Sequence, residues 1–174
     1  MATAVLLKGF LDRESIDEAS REISVYLAEG EKELILVIDS DGGNISPAID
    51  FIKDLEKAEK SGILIRVRIY NAKSMAALIA IAVSCREYRE VSKEAVIEFH
   101  RGTLQLEASD FDLKTGRIHP EILEQFVTYN GILRASLGSK ISDNQKLMAE
   151  FYASNWLRLS AEKCLELGLA DKIF

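Results

Sequence analysis

Leu34-Ile-Leu-Val-Ile-Asp-Ser-Asp-Gly-Gly43 is the stretch that determines the architecture of this chain. Its first five residues are continuously apolar, which is typical of a strand buried on both faces of a parallel sheet. Asp41-Gly-Gly43 is predicted to break the strand, and a helix is predicted to open around Pro47. A glycine pair after a strand is commonly a tight turn. Glycines here also allow positive φ and a close approach to a ligand, which leaves N–H groups available to donate.

Strands and helices are predicted to alternate on both sides of this stretch. Strand-like composition occurs over residues 4–10, 63–70, 87–91 and 95–100, and helical spacing of apolar residues over 14–29 and 74–84. Such alternation requires right-handed crossovers, so we predict an α/β domain with a mostly parallel sheet. The second half is predicted to be helical, over residues 120–137 and 142–154. A short helix ends at Gly168, and residues 169–174 return to the sheet or its edge.

The composition predicts one globular domain over residues 1–174, because two prolines and no Gly/Ser-rich tract leave no linker. A net charge of −6, with Lys and Arg scattered among acids, argues against nucleic acid as a partner. The longest apolar run, 75–83, is too short for a bilayer, and the N-terminus has no signal-peptide pattern. We therefore expect a cytoplasmic protein with no membrane partner, in which Cys85 and Cys164 are buried free thiols.

Ser74 and His100 are the side chains best placed to carry chemistry. Ser74 begins an apolar helix, where it is either an ordinary N-cap or a nucleophile beside favourable backbone dipoles. A histidine at a strand end, like His100, is usually structural or solvated. However, Gly43, Ser74 and His100 all fall at the ends of successive parallel strands, the edge where such sheets hold their sites. We predict Ser74 as nucleophile, His100 as base, and the N–H groups of Gly43 and Met75 as oxyanion donors.

Four short motifs, in order along the chain, resemble the proteolytic subunits of Clp protease. Leu36-Val-Ile-Asp-Ser-Asp-Gly-Gly43 is similar to the Ser-Pro-Gly-Gly segment of that family and of signal peptide peptidase A. Ala72-Lys-Ser-Met-Ala76 resembles the sequence around the Clp nucleophile, and Val96-Ile-Glu-Phe-His100 resembles the strand that carries the Clp histidine. The segment from Leu159 to Asp171, with Ser-Ala-Glu and Gly-Leu-Ala-Asp, is similar to the family's C-terminal segment. His100 favours the Clp type, since signal peptide peptidase A uses a Ser-Lys pair.

The resemblance implies a single domain of the ClpP/crotonase-like fold. It also implies a serine endopeptidase that cleaves peptides or unfolded proteins, needs no cofactor or metal, and assembles as a homo-oligomeric ring. Residues 103–116 correspond to the family's handle, through which two rings join. Val5 already lies in the first strand, so the family's N-terminal axial-loop segment has no counterpart, which argues against docking to an unfoldase ATPase through such loops.

Three positions depart from the family pattern. Tyr70 stands where the family has a glycine, which predicts a crowded side chain where the backbone normally passes closely, and Lys73 replaces the alanine before the serine. The triad aspartate has no counterpart in residues 153–160. Asn155 is the nearest match: its amide oxygen either orients His100, as asparagine does in papain-like sites, or is simply that of a helix-terminal residue.

Two other functions remain open at this stage. A catalytically inactive structural or regulatory subunit of the Clp type is consistent with the departures at Tyr70, Lys73 and the missing aspartate. Acyl-CoA chemistry on the related crotonase fold also uses strand-end N–H pairs, but it accounts less well for the chain length and for a serine and a histidine in the Clp order.

Overall fold

Three strand–helix units form the first half of the chain. The computed structural model describes residues 3–83, 88–101, 110, 112, 114–115 and 117–174. The first units comprise β1 (Thr3–Leu11), α1 (Arg13–Glu29), β2 (Glu33–Gly43), α2 (Ile45–Lys60), β3 (Leu64–Lys73) and α3 (Met75–Ala82). The predicted alternation in this half is confirmed, with boundaries shifted by up to three residues except at the end of β2.

Two short strands and a helical region follow. The strands are β4 (Arg89–Val91) and β5 (Ile97–His100), and the first long helix is α4 (Pro120–Leu133). This helix continues as a π-helical turn over Arg134–Gly138 into α5 (Ser139–Ile141). The chain ends with α6 (Gln145–Ser154), β6 (Trp156–Leu159), α7 (Ala161–Glu166) and β7 (Lys172–Ile173). Cys85 and most of the predicted handle, residues 103–116, lie outside the described residues.

The sheet is parallel in the order β1-β2-β3-β4-β7, as the sequence predicts for an α/β domain. Strand β3 has two neighbours on the same side: its middle pairs with β4, and its end, Ala72 and Lys73, pairs with β5. Strand β5 then pairs antiparallel with β6, so that His100 lies opposite Trp156. The branch at the end of β3 brings the serine-bearing turn and the histidine-bearing strand to one edge of the sheet.

One face of the sheet is closed by helices. Helices α1, α2 and α3 contact this face, and Leu34, Leu36 and Ile38 of β2 are almost completely buried beneath them. Helix α3 is buried throughout residues 75–81, which explains its apolar sequence. Each fully buried aliphatic side chain contributes about 1.5–3 kcal/mol, so this layer holds the turn before α3 firmly.

Two expectations about β2 need correction. The strand does not break at Asp41 but runs on to Gly43, with a register shift against β3 between Ile38 and Asp39. Its apolar run is also not buried on both faces: buried and partly buried residues alternate along it, because the second face of the sheet is only partly covered. Phe10 of β1, for example, is 63% exposed on the surface.

Candidate active site

Ser74 lies in a strained turn between β3 and α3. Its backbone has φ 53° and ψ −122°, in the region that favours glycine. Main-chain bonds hold it on both sides, since its N–H donates to Glu98 O at 2.8 Å and its carbonyl accepts from Leu78 N at 3.1 Å. A non-glycine residue in such a conformation costs about 1–3 kcal/mol, and strain of this size is concentrated at functional sites.

The Ser74 hydroxyl is directed at a histidine rather than at the helix. Ser74 is the N-cap of α3, but its side chain makes no capping hydrogen bond. Its Oγ lies 2.6 Å from His100 Nε2 instead. An ordinary capping serine would accept from the first turn of the helix, so the structure brings the predicted nucleophile and base into direct contact.

The second ring nitrogen of His100 determines the tautomer. Nδ1 lies 3.0 Å from the main-chain carbonyl of Arg101, which can only accept a hydrogen bond. In the neutral ring the proton must therefore sit on Nδ1, and Nε2 must be the acceptor that faces the Ser74 hydroxyl. This is the protonation pattern that a general base beside a serine requires.

Two aromatic residues that the sequence did not single out fix the position of His100. The Trp156 ring lies opposite it across the β5–β6 pair, with ring centroids 4.5 Å apart. The Tyr129 hydroxyl donates to the main-chain carbonyl of His100 at 2.5 Å. Burial raises the pKa of Tyr129 to about 12, so this donor keeps its proton at any ordinary pH. The alternation of Trp156-Leu-Arg-Leu159 was the available signal for strand β6.

Asn155 contacts Arg101 rather than the imidazole. It occupies a left-handed turn with φ 61°, directly after α6. Its side-chain oxygen accepts from the Arg101 guanidinium, with Nε at 2.8 Å and Nη2 as a second donor, and its carbonyl accepts from Arg101 N at 3.1 Å. The sequence left two alternatives for Asn155: the structure shows no direct Asn155–His100 bond and places Asn155 at the end of α6, as the helix-terminal alternative expects. Its side chain bonds to Arg101, whose carbonyl contacts His100 Nδ1.

The two glycines at the end of β2 have different neighbours. A Cβ on Gly42 would lie 2.7 Å from Ser74 Cβ and 3.0 Å from Met75 N, whereas one on Gly43 would lie 2.2 Å from Leu11 O. The N–H of Gly42 donates to the Ser40 hydroxyl at 3.0 Å. Gly42 is thus the residue that lets the backbone pass close to the serine, which the sequence analysis assigned to the pair without distinguishing its members.

The two substitutions that precede the serine leave its bond to His100 in place. Tyr70 is 48% exposed on the open face of the sheet, with its ring edge-to-face against Phe174 at 5.4 Å, so the predicted crowding is wrong. Lys73 Nζ pairs with Asp41 at 2.7 Å. Hydrogen bonds from Lys73 and then Asn71 hold the pKa of Asp41 below its usual value. Among the described residues, neither side chain makes a hydrogen bond or ion pair with Ser74 or His100.

No group of three or more His, Cys, Asp or Glu side chains lies together among the described residues.

A sequence model of the Clp protease family matches residues 2–174 of the chain. The chain belongs to the Clp protease family. No curated protein matches it in a direct comparison of sequences. Membership of the Clp protease family agrees with the α/β fold and its mostly parallel sheet, and it indicates a hydrolase acting on peptide bonds. Among the described residues, no helix has the length and apolar character needed to cross a membrane.

Proposed function

We propose that this Clp family member is a serine peptidase in which Ser74 is the nucleophile and His100 the general base. The observation that carries the proposal is the 2.6 Å contact between Ser74 Oγ and His100 Nε2, made by a serine whose backbone is held in a strained turn. Serine is a poor nucleophile at its own pKa, so a neighbouring base in the correct tautomer is the feature that activates it.

The reaction follows the serine-peptidase pattern. Ser74 Oγ attacks the carbonyl carbon of the peptide while its proton passes to His100 Nε2. The resulting imidazolium is held by its Nδ1–H bond to the Arg101 carbonyl and then protonates the leaving amine, which breaks the C–N bond. A water molecule then attacks the ester carbon while the same nitrogen takes its proton, and the imidazolium returns that proton to Ser74 Oγ as the ester bond breaks and the new carboxylate leaves.

The oxyanion donors in this scheme are the N–H groups of Gly43 and Met75. Met75 N is the first amide of α3, next to the nucleophile, so the helix dipole favours negative charge there. The Gly42 N–H already donates to Ser40, which supports Gly43 as the second donor. One such donor is typically worth about two to three powers of ten in turnover.

Turnover is expected to be modest because the group that accepts from His100 Nδ1, where a catalytic triad has a carboxylate, is a main-chain carbonyl. Hydrogen bonds to charged partners are stronger than those to neutral ones by about 1 to 2 kcal/mol, so an imidazolium beside the Arg101 carbonyl is less stabilised than one beside a carboxylate. That difference corresponds to roughly five- to thirtyfold in rate. Asn155 is assigned a positioning role, through its bonds to Arg101.

We further propose that the substrates are peptides or unfolded proteins and that the enzyme works as a homo-oligomeric ring in the cytoplasm. The open face of the sheet supports assembly, because Leu6, Phe10 and Tyr70 are all about half exposed or more there. Light scattering should give a mass that is a multiple of the 19.4 kDa chain. A monomer at micromolar concentration would contradict the ring.

The test of function is hydrolysis of an unfolded protein, such as casein, and of fluorogenic peptides by the purified chain. Ser74→Ala and His100→Ala should each abolish cleavage. Ser61→Ala is the matched control, since Ser61 lies exposed at the end of α2 and should leave the activity intact. Cleavage that persists unchanged in Ser74→Ala would refute Ser74 as nucleophile.

A catalytically inactive subunit is the second candidate, and one observation favours it. The hydrogen-bond acceptor beside His100 Nδ1 is the neutral carbonyl of Arg101, whereas an active catalytic triad usually has a carboxylate there. A folded and assembled protein that cleaves none of these substrates, alone or with an active relative present, would favour this role.

A further inference from the structure

A cationic groove opens next to the catalytic histidine. It has a volume of about 540 Å³ and lies between α4 and the turn that precedes β6. Its lining includes two guanidinium groups, two amides and two apolar side chains, from Arg101, Arg134, Asn130, Asn155, Phe126 and Val127. The size is that of a small-ligand site, and Arg101 joins it directly to His100.

The charge of this groove is opposite to that of the protein. The chain carries a net charge of −6, yet both charged residues that line the groove are arginines. Asn155 fixes the Arg101 guanidinium through Nε and Nη2, so its remaining nitrogen, Nη1, is held in a defined direction. Arg134 is exposed, and within the described part of the chain it makes no ion pair.

Arg134 has no evident structural task at its position. A basic residue at a helix end often compensates the helix dipole. Here the helical backbone continues from α4 through the π-helical turn 134–138, so Arg134 faces no free helix end. A single guanidinium can bind a carboxylate through two parallel N–H···O bonds, so the exposed Arg134 could hold such an anion in the groove, where Arg101 adds a second positive charge.

We propose that this groove binds a carboxylate of the peptide substrate, so that the protein prefers acidic residues close to the bond it cleaves. The inference rests on the proposed function. Ser74 Oγ contacts His100 Nε2, and the carbonyl of Arg101, a residue of the groove lining, contacts His100 Nδ1, so a single imidazole separates the serine from the groove-lining residue. An extended peptide advances about 3.3 Å per residue, so the substrate residues nearest the cleaved bond are the ones that the groove would meet. Phe126 and Val127, the latter 67% exposed, provide an apolar wall for the methylene groups of a glutamate.

Two sources can supply the carboxylate: an acidic side chain or the free C-terminus of the substrate. Three labelled peptides separate them. The first is acetylated and amidated with a central Glu, the second is identical with Gln, and the third is the Gln peptide with a free C-terminal carboxylate. Binding to the full-length Ser74→Ala variant, which cannot turn over substrate, is measured by fluorescence anisotropy.

We expect the Glu peptide to bind about tenfold more tightly than the Gln peptide, which is the scale of one charge-assisted hydrogen bond. Arg134→Gln should remove most of this preference, and about 1 M salt should weaken it because the screening length falls to about 3 Å. Lys146→Gln is the matched control, an exposed cation of α6 outside the groove lining, and should preserve the preference.

The results separate the groove from the proposed function. Tighter binding of the third peptide alone would assign the groove to the chain end. Equal binding of all three, or a preference that survives Arg134→Gln, would overturn the inference even if the wild type cleaves peptides. Preferential binding by a protein that cleaves nothing would leave the groove standing and refute the peptidase.

Discussion

Replacing Ser74 with glycine should stabilise the protein relative to replacing it with alanine. Both changes remove the hydroxyl and its bond to His100, so they differ only at Cβ. With φ 53° and ψ −122°, the backbone at this position is strained for any residue that carries a Cβ. Glycine relieves that strain, whereas alanine retains it.

The size of the effect follows from two opposing contributions. The strain is worth about 1–3 kcal/mol. Against it, glycine gains more freedom than alanine in the unfolded chain, worth about 0.5–1 kcal/mol. The net expectation is that Ser74→Gly is more stable than Ser74→Ala by about 1 kcal/mol. At Ser61, with φ −81° and ψ 0°, only the second contribution acts, so alanine should be the more stable by about 0.5–1 kcal/mol.

The assay is urea unfolding of the four variants at one protein concentration, comparing midpoints at equal slopes. The sign of the glycine–alanine difference should reverse between the two serines. If glycine is the less stable variant at both positions, the strained turn at Ser74 is wrong, and the structural argument for an activated serine loses its support.

Three further outcomes follow from the surroundings of the site. Gly42→Ala should destabilise the protein by about 2–4 kcal/mol and abolish activity, because its Cβ meets the serine turn. Gly62 is the matched control, because its φ of +89° is close to the +92° of Gly42 but a Cβ there would have no atom within 4 Å. Gly62→Ala should lower the free energy of unfolding by only about 1–2 kcal/mol, and equal losses at the two glycines would refute the close approach at Gly42. Tyr129→Phe removes the hydroxyl that donates to the His100 carbonyl and should lower the free energy of unfolding at pH 8 by about 1–3 kcal/mol. Tyr152→Phe, at an exposed tyrosine, should leave it nearly unchanged. Burial raises the pKa of Tyr129 to about 12, so the unfolded chain loses the hydroxyl proton before the folded protein does, and the free energy of unfolding should fall above about pH 10. In urea titrations at several pH values, Tyr129→Phe should weaken this pH dependence, and an unchanged dependence would contradict the buried tyrosine. Burial likewise raises the pKa of the Cys164 thiol to about 12. Iodoacetamide at pH 8 should therefore modify Cys164 about a hundredfold faster in urea than in the native protein. Equal rates of modification, measured by mass spectrometry, would contradict its burial.

The sequence was sufficient for the parallel strands of the sheet and for the meeting of Ser74 with His100, but it did not predict the antiparallel strand β6. Continuous apolar runs and alternating helices determine a parallel sheet, and the edge where its strands end brings those two residues together. Strand alternation alone also predicts an exposed Tyr70, because Arg66 and Arg68 precede it at every second position on the open face of the sheet. The crowding expected there came from the resemblance, without regard to that alternation.

The hydrogen bonds around His100 were beyond the reach of the sequence. Which acceptor meets Nδ1 depends on a left-handed turn at Asn155 and on a four-residue strand, β6, and neither has a strong local pattern. The acceptor beside His100 Nδ1 is a main-chain carbonyl, and because every residue has one, no residue type in the sequence could indicate it. The aspartate position could therefore be shown to be missing, but its replacement could not be named.

Whether Ser74 is an activated nucleophile can be measured by mass spectrometry after treatment of the protein with a fluorophosphonate, because this reagent modifies activated serines. We expect a single adduct on Ser74, absent from Ser74→Ala and strongly reduced in His100→Ala. An unmodified Ser74 in a protein shown to be folded and assembled would contradict it and favour the inactive subunit.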